Sequence, residues 1–539
     1  MTVLKSHIRR DSDEFVRNTQ AMLHWLERVQ QVEADTCAAS ESSRARFESR
    51  GQLLPRERLG VLLDRDSDFL ELASLAGYGF RPKDREGRQI AGGGLIAGIG
   101  HIADVRCMVV ASDSGIEAGA FQPMGLEKLL RAQEIALENK LPFVQLIESG
   151  GGNLARYKVE NFVIGGRKYR NLARLSAAGI PVVTVAHGAA TAGGAYQIGL
   201  SDYIVMVEGQ ARAYLAGPAL LKAATGEEST DEELGGARMH CSISGLGDYL
   251  ARDDRDALGI ARRIISSLNW LPPDPQALAF RPPRYGAEDL LGIMPEDGKQ
   301  ALDMREVIAR VVDDSDFDEF GLHYGSDTVC GHAAIEGMKV GLITNNGPID
   351  PHGAAKATHF IQACCQSGTP LIYLNNTTGF MVGRDYEQAG SIKLGAMMIQ
   401  AVASASVPQI TLFCGASFGA GHYAMCGRAF APRFCFSWPN ARCAVMGAEQ
   451  AADTMEMVTR AASRRKGKPV DEDRLAAFRQ EILVNFQRQT DVLATSARLL
   501  DDGVIDPRDT RVVLAMALRI CREERSRTLR PLSFAVPHP

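Results

Sequence analysis

Two short stretches of glycine and alanine give this chain the means to do chemistry without a reactive side chain. Gly188-Ala-Ala-Thr-Ala192-Gly193-Gly194-Ala-Tyr196 and Gly415-Ala-Ser-Phe-Gly419-Ala420-Gly421-His-Tyr423 each follow an apolar run and precede residues with helical spacing. A strand that turns into a helix through such residues presents unpaired N–H groups at the positive end of the helix dipole. Tiny side chains there let a substrate atom reach hydrogen-bonding distance, as an oxyanion hole requires. Two further clusters, Glu148-Ser149-Gly150-Gly151-Gly152-Asn153 and Asn375-Asn-Thr-Thr378-Gly379-Phe380-Met-Val-Gly383, fall where loops leave strand C-termini. Open α/β sheets bind ligands at such loops, so each cluster is read as a pocket wall.

The elements that position these turns repeat. Four apolar runs open with X-Pro: LPFVQLI from Leu141, IPVVTVA from Ile180, TPLIYLN from Thr369 and VPQITLF from Val407. Each reads as a buried strand begun by a proline whose missing N–H no neighbour needs. Pro142 and Pro181 are 39 residues apart and Pro370 and Pro408 are 38 apart, which offsets the halves by 228 and 227. Lys128 and Lys356 each lie 14 residues before the first proline, in helical stretches (126–139 and 354–367), and a tyrosine follows the second proline by 15 in both copies. Strand, offset, glycine cluster and tyrosine together predict an α/β protein of two tandem duplicated domains, 1–275 and 285–539. The proline-rich segment LPPDPQALAFRPPR, residues 271–284, is the linker. Residues 1 to about 60 carry charged helical spacing and read as helices lying over a domain or a partner.

Composition narrows the function. The 539 residues include 65 acidic and 60 basic side chains with no basic stripe, which argues against a nucleic-acid partner. Eleven cysteines, an odd number without a C-x-x-C pair, read as reduced, packed thiols rather than disulfides or a metal site. The first residues, MTVLKSHIRRDSDEF, hold no apolar targeting stretch, so the cytoplasm is expected. The uncharged stretch from Leu394 to Gly427 is rich in small residues and broken by Pro408, and reads as a buried α/β segment rather than a membrane span.

Several motif matches carry less than they promise. Gly415-Ala-Ser417-Phe-Gly419 fits a nucleophile elbow, but Ala190 stands at the aligned position of Ser417, and no Asp-then-His partners follow at the expected places. Gly92-Gly-Gly94 opens a strand and turn rather than the helix that a dinucleotide fingerprint needs. Lys339 in Glu336-Gly-Met-Lys339-Val reads as part of a β-hairpin, not a biotinylated lysine, and His352 and His359 are too isolated for a metal site.

With these residues in view, the chain resembles the carboxyltransferase (β) subunits of biotin-dependent acyl-CoA carboxylases, from about residue 45 (RARFESRGQLLPRERL) to past residue 452. The motifs are Leu215-Ala-Gly-Pro-Ala-Leu-Leu-Lys222 with Glu233-Leu-Gly-Gly-Ala-Arg-Met-His240, then Met425-Cys-Gly-Arg428, and Trp438-Pro-Asn-Ala-Arg442 running to Val445-Met-Gly-Ala-Glu-Gln-Ala. These and Ser149-Gly-Gly-Gly-Asn153-Leu are closer to the methylcrotonyl-CoA branch than to the propionyl-CoA branch. The resemblance implies two crotonase-like domains. The acyl-CoA would lie on the N-terminal half and carboxybiotin on the C-terminal half of a neighbouring subunit. It implies catalytic amides at Gly193 and Gly194 for the thioester oxygen and at Ala420 and Gly421 for biotin. Ser149, Gly150, Gly151, Gly152, Gly165, Gly166, Ala192 and Tyr196 would line the acyl-CoA site, and Thr378, Gly379, Phe380, Gly419 and Tyr423 the biotin site, with no metal. No carrier or ATP-binding domain is visible in the sequence, so biotin is expected on a separate α subunit, which alone would use ATP and bicarbonate, in an α6β6 assembly around a β6 core.

The acyl group turns on one position. Methylcrotonyl-type subunits carry Phe-Gly-Arg where this chain has Gly165-Gly166-Arg167. Loss of a phenyl ring would open space on the order of 100 Å³. Geranyl-CoA, carboxylated at its γ-methyl carbon, is therefore the expected substrate, with 3-methylcrotonyl-CoA as the alternative. A crotonase-type hydratase or isomerase is a more distant alternative, which would need a paired carboxylate base.

Overall fold

A computed structural model describes residues 2–120, 122–150, 159–270, 278–297, 300, 302–467, 469–529, 531 and 534–536. It is an α/β structure with two mixed sheets built on one plan. The strands are β1 (Thr2–Val3), β2 (Leu70–Leu72), β3 (Leu95–Ile102), β4 (Val105–Ser112), β5 (Phe143–Ser149), β6 (Val182–Thr191), β7 (Tyr203–Val207), β8 (Arg212–Tyr214), β9 (Tyr249–Ala251), β10 (Asp316–Phe320), β11 (Thr328–Ile335), β12 (Met338–Asn345), β13 (Leu371–Thr377), β14 (Gln409–Phe418), β15 (Phe434–Ser437) and β16 (Arg442–Ala444). One sheet runs β2-β3-β4-β5-β6-β7-β9, with β8 on β6; the other runs β1-β10-β11-β12-β13-β14-β15, with β16 on β14. In each an antiparallel edge gives way to parallel strands from β4 and from β12 onward.

The four X-Pro runs are the parallel core strands β5, β6, β13 and β14. Each proline has no N–H to give, but its carbonyl starts the next ladder: those of Pro142, Pro181, Pro370 and Pro408 accept from Met108, Phe143, Gly341 and Leu371 at 2.8–2.9 Å. The strands are apolar on both faces because helices cover them. Val144, Val183, Ile204 and Leu258 pack in one core, and Tyr373, Phe360, Ile361 and Met398 in the other.

The repeat extends to fine detail. In β5/β6 the register steps from Ile147↔Ala186 to Ser149↔Ala190, and in β13/β14 from Asn375↔Phe413 to Thr377↔Ser417. The same two-residue irregularity therefore bends the strand that enters each glycine turn. Lys128, on the helix Gly125–Glu138, donates to the carbonyls of Gly92 (3.3 Å) and Leu95 (2.7 Å), and Lys356, on the helix Pro351–Ser367, donates to that of Gly321 (3.3 Å). Both lysines are buried anchors of the fold, 2% and 3% exposed. Lys339 is paired in the β11/β12 hairpin with Ala334, and Gly92–Gly94 lead into β3.

The compact units also exchange their ends relative to the limits 1–275 and 285–539. One comprises residues 31–275, 497–499 and 520–539; the other comprises 1–30, 276–496 and 500–519. Among the described residues no helix is long and apolar enough to cross a membrane, and the stretch from Leu394 to Gly427 falls on a helix, β14 and the turn after it.

Gly93 shows how tightly this frame is drawn. Its φ is +65°, and a Cβ would meet the Gly125 Cα at 2.8 Å. Gly93→Ala is therefore expected to destabilise the N-terminal unit by about 2–4 kcal/mol, seen as a lowered thermal midpoint.

Candidate active site

β6 ends at Thr191, and the helix Gly193–Gly199 begins two residues later. Ala192 makes the corner at φ +52° and ψ −107°, a region few L-residues adopt, and its own N–H is taken by the Tyr214 carbonyl on β8 at 2.9 Å. Gly193 and Gly194 follow as the first two helical residues, where N–H groups have no intrahelical acceptor. A Cβ on Gly194 would sit 3.3 Å from the Ala190 Cβ and 3.7 Å from the Ser149 Cβ, which fixes the turn against the end of β5. Ser149 is buried beside it, Gly150 is exposed and donates to the Ala118 carbonyl at 3.0 Å, and Gly151 and Gly152 lie outside the described residues. Tyr196 is 55% exposed one turn along.

The C-terminal copy repeats this geometry. β14 ends at Phe418; Gly419, at φ +56°, makes the corner, and the short helix Gly419–Ala424 carries Ala420 and Gly421. A Cβ on Gly421 would meet the Gly379 Cα at 2.8 Å and the Thr377 Cγ2 at 3.2 Å. Gly379 itself, at φ +113°, accepts from the Ile349 N–H at 2.9 Å, donates its own N–H to Thr377 Oγ1 at 3.2 Å and places Thr378 and Phe380 on either side. Tyr423 is 48% exposed, as Tyr196 is in the first copy.

Two polar groupings support these turns, and sequence reasoning missed both. Beneath the first turn, Arg58 bridges Glu148 Oε2 and Asp254 Oδ2, both at 3.0 Å, while Ser114 donates to the same Glu148 oxygen at 2.7 Å. His187 Nδ1 lies 2.6 Å from Asp254 Oδ1. Burial opposes ionisation of Asp254, yet His187 and Arg58 hold its carboxyl down at about 2, and burial with Arg58 nearby pushes the His187 imidazole below its usual range. Beneath the second turn, Ser417 Oγ lies 2.9 Å from His422 Nδ1, and the His422 ring stacks on Phe413. Burial pushes His422 down to about 4, so it is neutral at working pH. Ser417 is 0% exposed and points into this packing, not out of an elbow. The contacts of the first grouping join residues far apart in sequence, such as Arg58 and Asp254, so no local pattern announces them.

The helix Val159–Ala177 carries Gly165 and Gly166, and a Cβ on either meets no atom within 4 Å. Phe162, Val163 and Ile164 beside them are exposed. Each half thus holds a pair of backbone donors at a helix start, framed by the exit of the neighbouring strand. Such a pair is built to receive negative charge on an oxygen.

The model of the carboxyl transferase domain family matches residues 46–533, and the chain belongs to that family. Within it, the chain is a β subunit of the biotin-dependent acyl-CoA carboxylases. It is 50% identical over 474 residues, 88% of each chain, to a Mycobacterium tuberculosis protein named probable biotin-dependent acyl-coenzyme A carboxylase beta2 subunit. It is 44% identical over 529 residues, 97% of this chain and 89% of the relative, to the Dictyostelium discoideum mitochondrial methylcrotonoyl-CoA carboxylase beta chain. The solved β subunit of Pseudomonas aeruginosa geranyl-CoA carboxylase superposes with a TM-score of 0.93 at 49% identity, covering 100% of both chains.

The close fit of Gly421 gives a direct test. Gly421→Ala is expected to displace Gly379 and lower carboxyl transfer about 100-fold or more while leaving acyl-CoA binding within about threefold, read by steady-state kinetics and calorimetry.

Proposed function

We propose that this subunit moves a carboxyl group from biotin, carried on a separate α subunit, to the γ carbon of a branched enoyl-CoA, with geranyl-CoA as the substrate. The observation that carries the substrate is Gly165. A Cβ built there meets no atom within 4 Å, where methylcrotonyl-type subunits of the resembled family carry a phenyl ring. The likeness to the P. aeruginosa β subunit supports the same reading, and the methylcrotonoyl-CoA relatives keep 3-methylcrotonyl-CoA as the second.

The halves divide the work as residues 1–275 for acyl-CoA and 285–539 for biotin. Removal of a γ proton from a conjugated thioester spreads negative charge onto the thioester oxygen. The Gly193 and Gly194 amides face that charge, and one such preorganised donor contributes roughly 3–4 kcal/mol to the transition state. Ser149, Gly150, Gly151, Gly152, Ala192 and Tyr196 line this side, with Gly165 and Gly166 beside the acyl tail. Biotin, when bound, supplies the carboxyl group, a nitrogen that takes the proton and a ureido oxygen on which charge gathers. Ala420 and Gly421 hold that oxygen, while Thr378, Gly379, Phe380, Gly419 and Tyr423 shape the approach. Nothing here needs a side-chain base. Glu148, the carboxylate next to the first turn, is tied up by Arg58 and Ser114, which disfavours a hydratase or isomerase.

ATP and bicarbonate belong to the α subunit. Exposed apolar residues recur at matching places of the repeat, Ile164 with Ile392, Tyr196 with Tyr423 and Leu215 with Val445. Such faces support assembly of β chains, which we take to be a β6 core within α6β6. The cytoplasm is the compartment we propose; eleven cysteines outside any disulfide suit a reducing one.

The enzyme reconstituted with its co-purifying biotinylated partner is expected to carboxylate geranyl-CoA. Gly165→Phe should lower kcat/KM for geranyl-CoA at least about tenfold and spare 3-methylcrotonyl-CoA. Full geranyl-CoA turnover by the variant, or the absence of a biotinylated partner, would refute this reading.

A further inference from the structure

The helix that carries Gly165 also touches the acyl-side turn at two points. One turn along from Gly165, the buried Lys168 donates its ammonium to Gln197 Oε1 at 3.2 Å, and the neighbouring Tyr169 hydroxyl donates to the Gly193 carbonyl at 3.1 Å. Lys168 Nζ lies 4.9 Å from the Tyr169 ring centre and 3.8 Å from the point a Gly193 Cβ would occupy. Gln197 continues the chain inward to Gln145 Oε1 at 3.5 Å, and Gln145 donates to Thr184 Oγ1 at 3.0 Å.

The second turn has no counterpart. At the repeat offsets of 227 and 228 residues, Ala396, Ala424 and Tyr373 stand where the first copy has Lys168, Gln197 and Gln145. A duplicated frame that is matched down to its strand irregularities thus carries a buried lysine at this place in the first copy and an alanine in the second. Burying an ammonium is costly, so its confinement to the acyl side calls for a reason in that half-reaction.

Resting on the acyl-CoA reading of this half, we propose that Lys168 is a positioning residue that also supplies charge. With Tyr169 it fixes the Gly193 face of the turn helix, and its ammonium adds to the field of the Gly193 and Gly194 amides where the thioester oxygen becomes negative. Among the described residues, the titratable groups on the elements packed against its helix are Tyr196 on the turn helix, His187 on β6, and Glu127, Lys128, Arg131, Glu134 and Glu138 on Gly125–Glu138, and its own helix adds Glu160, Arg167, Tyr169, Arg170 and Arg174. Lys128 is held by backbone carbonyls, Arg131 pairs with Glu134, and His187 is engaged by Asp254. Burial pushes the Lys168 ammonium down to about 8. The charge is therefore present below that pH and lost above it, and acyl-CoA carboxylation should decline as pH rises through about 8.

The test compares wild-type holoenzyme with Lys168→Met, Lys168→Arg and Tyr169→Phe. Two rates are followed from pH 6.5 to 9.5: carboxylation of geranyl-CoA, and release of bicarbonate from the carboxylated α subunit without acyl-CoA. Lys168→Met is expected to lower kcat about 10- to 100-fold, short of the loss of a whole oxyanion donor, with KM within about threefold. It should also flatten the alkaline decline and leave bicarbonate release unchanged. Lys168→Arg should keep most of the rate and carry the decline above pH 9, because a guanidinium stays protonated. Tyr169→Phe should lower kcat modestly and keep the wild-type pH profile. A Lys168→Met enzyme with the wild-type kcat and alkaline limb overturns this inference alone. A wild-type holoenzyme that carboxylates no acyl-CoA removes the substrate reading, and this inference with it.

Discussion

The structure depends on one repeated constraint, the close approach of a helix start to the end of the neighbouring parallel strand. Gly194 against Ser149 and Ala190, and Gly421 against Gly379 and Thr377, leave no room for a methyl group without displacement. That approach holds two backbone amides in fixed directions, and preorganised donors do their work because they need not reorient when charge appears. The irregular step in β5/β6 and again in β13/β14 is the device that brings the strand end close enough. The X-Pro starts, the buried anchors Lys128 and Lys356 and the apolar strands between them hold the bend in place.

Duplication of the frame did not mean duplication of its support. The first turn rests on charge: Arg58, Glu148, Asp254 and His187 below it, and Lys168 with Gln197 beside it. The second rests on a neutral, stacked imidazole, His422, with Ser417 and Phe413. The corners differ as well. Gly419 adopts its positive φ freely, whereas Ala192 does so at a cost of about 1–3 kcal/mol, which the Tyr214 bond helps to offset. Two electrostatic environments on one backbone plan support the proposed division, with a thioester enolate at the first turn and a ureido oxygen at the second.

Much of this was legible in the sequence because the information was local or periodic. X-Pro runs, glycine turns and a constant offset gave the strands, the turns and the two-sheet plan. The discounted motifs also found physical explanations: Lys339 is a hairpin residue, Gly92–Gly94 lead a strand, and Ser417 is buried. Illegible were contacts between residues whose partners lie far along the chain, such as Arg58 with Asp254, 196 residues away. Lys168 sits three residues from Gly165 and could have been noticed as a charge on the same helix face, but its partner Gln197 is set by the crossing of two helices. The exchange of chain ends between the compact units was equally silent, since only packing decides where residues 1–30 lie.

The assignment of two anions to two turns is tested most directly by a crystal structure of the β subunit with geranyl-CoA and a free biotin analogue. The account predicts the thioester oxygen within about 3 Å of the Gly193 and Gly194 nitrogens and the ureido oxygen equally close to those of Ala420 and Gly421. A thioester found on the Ala420–Gly421 turn, or a ureido oxygen on the Gly193–Gly194 turn, would contradict it.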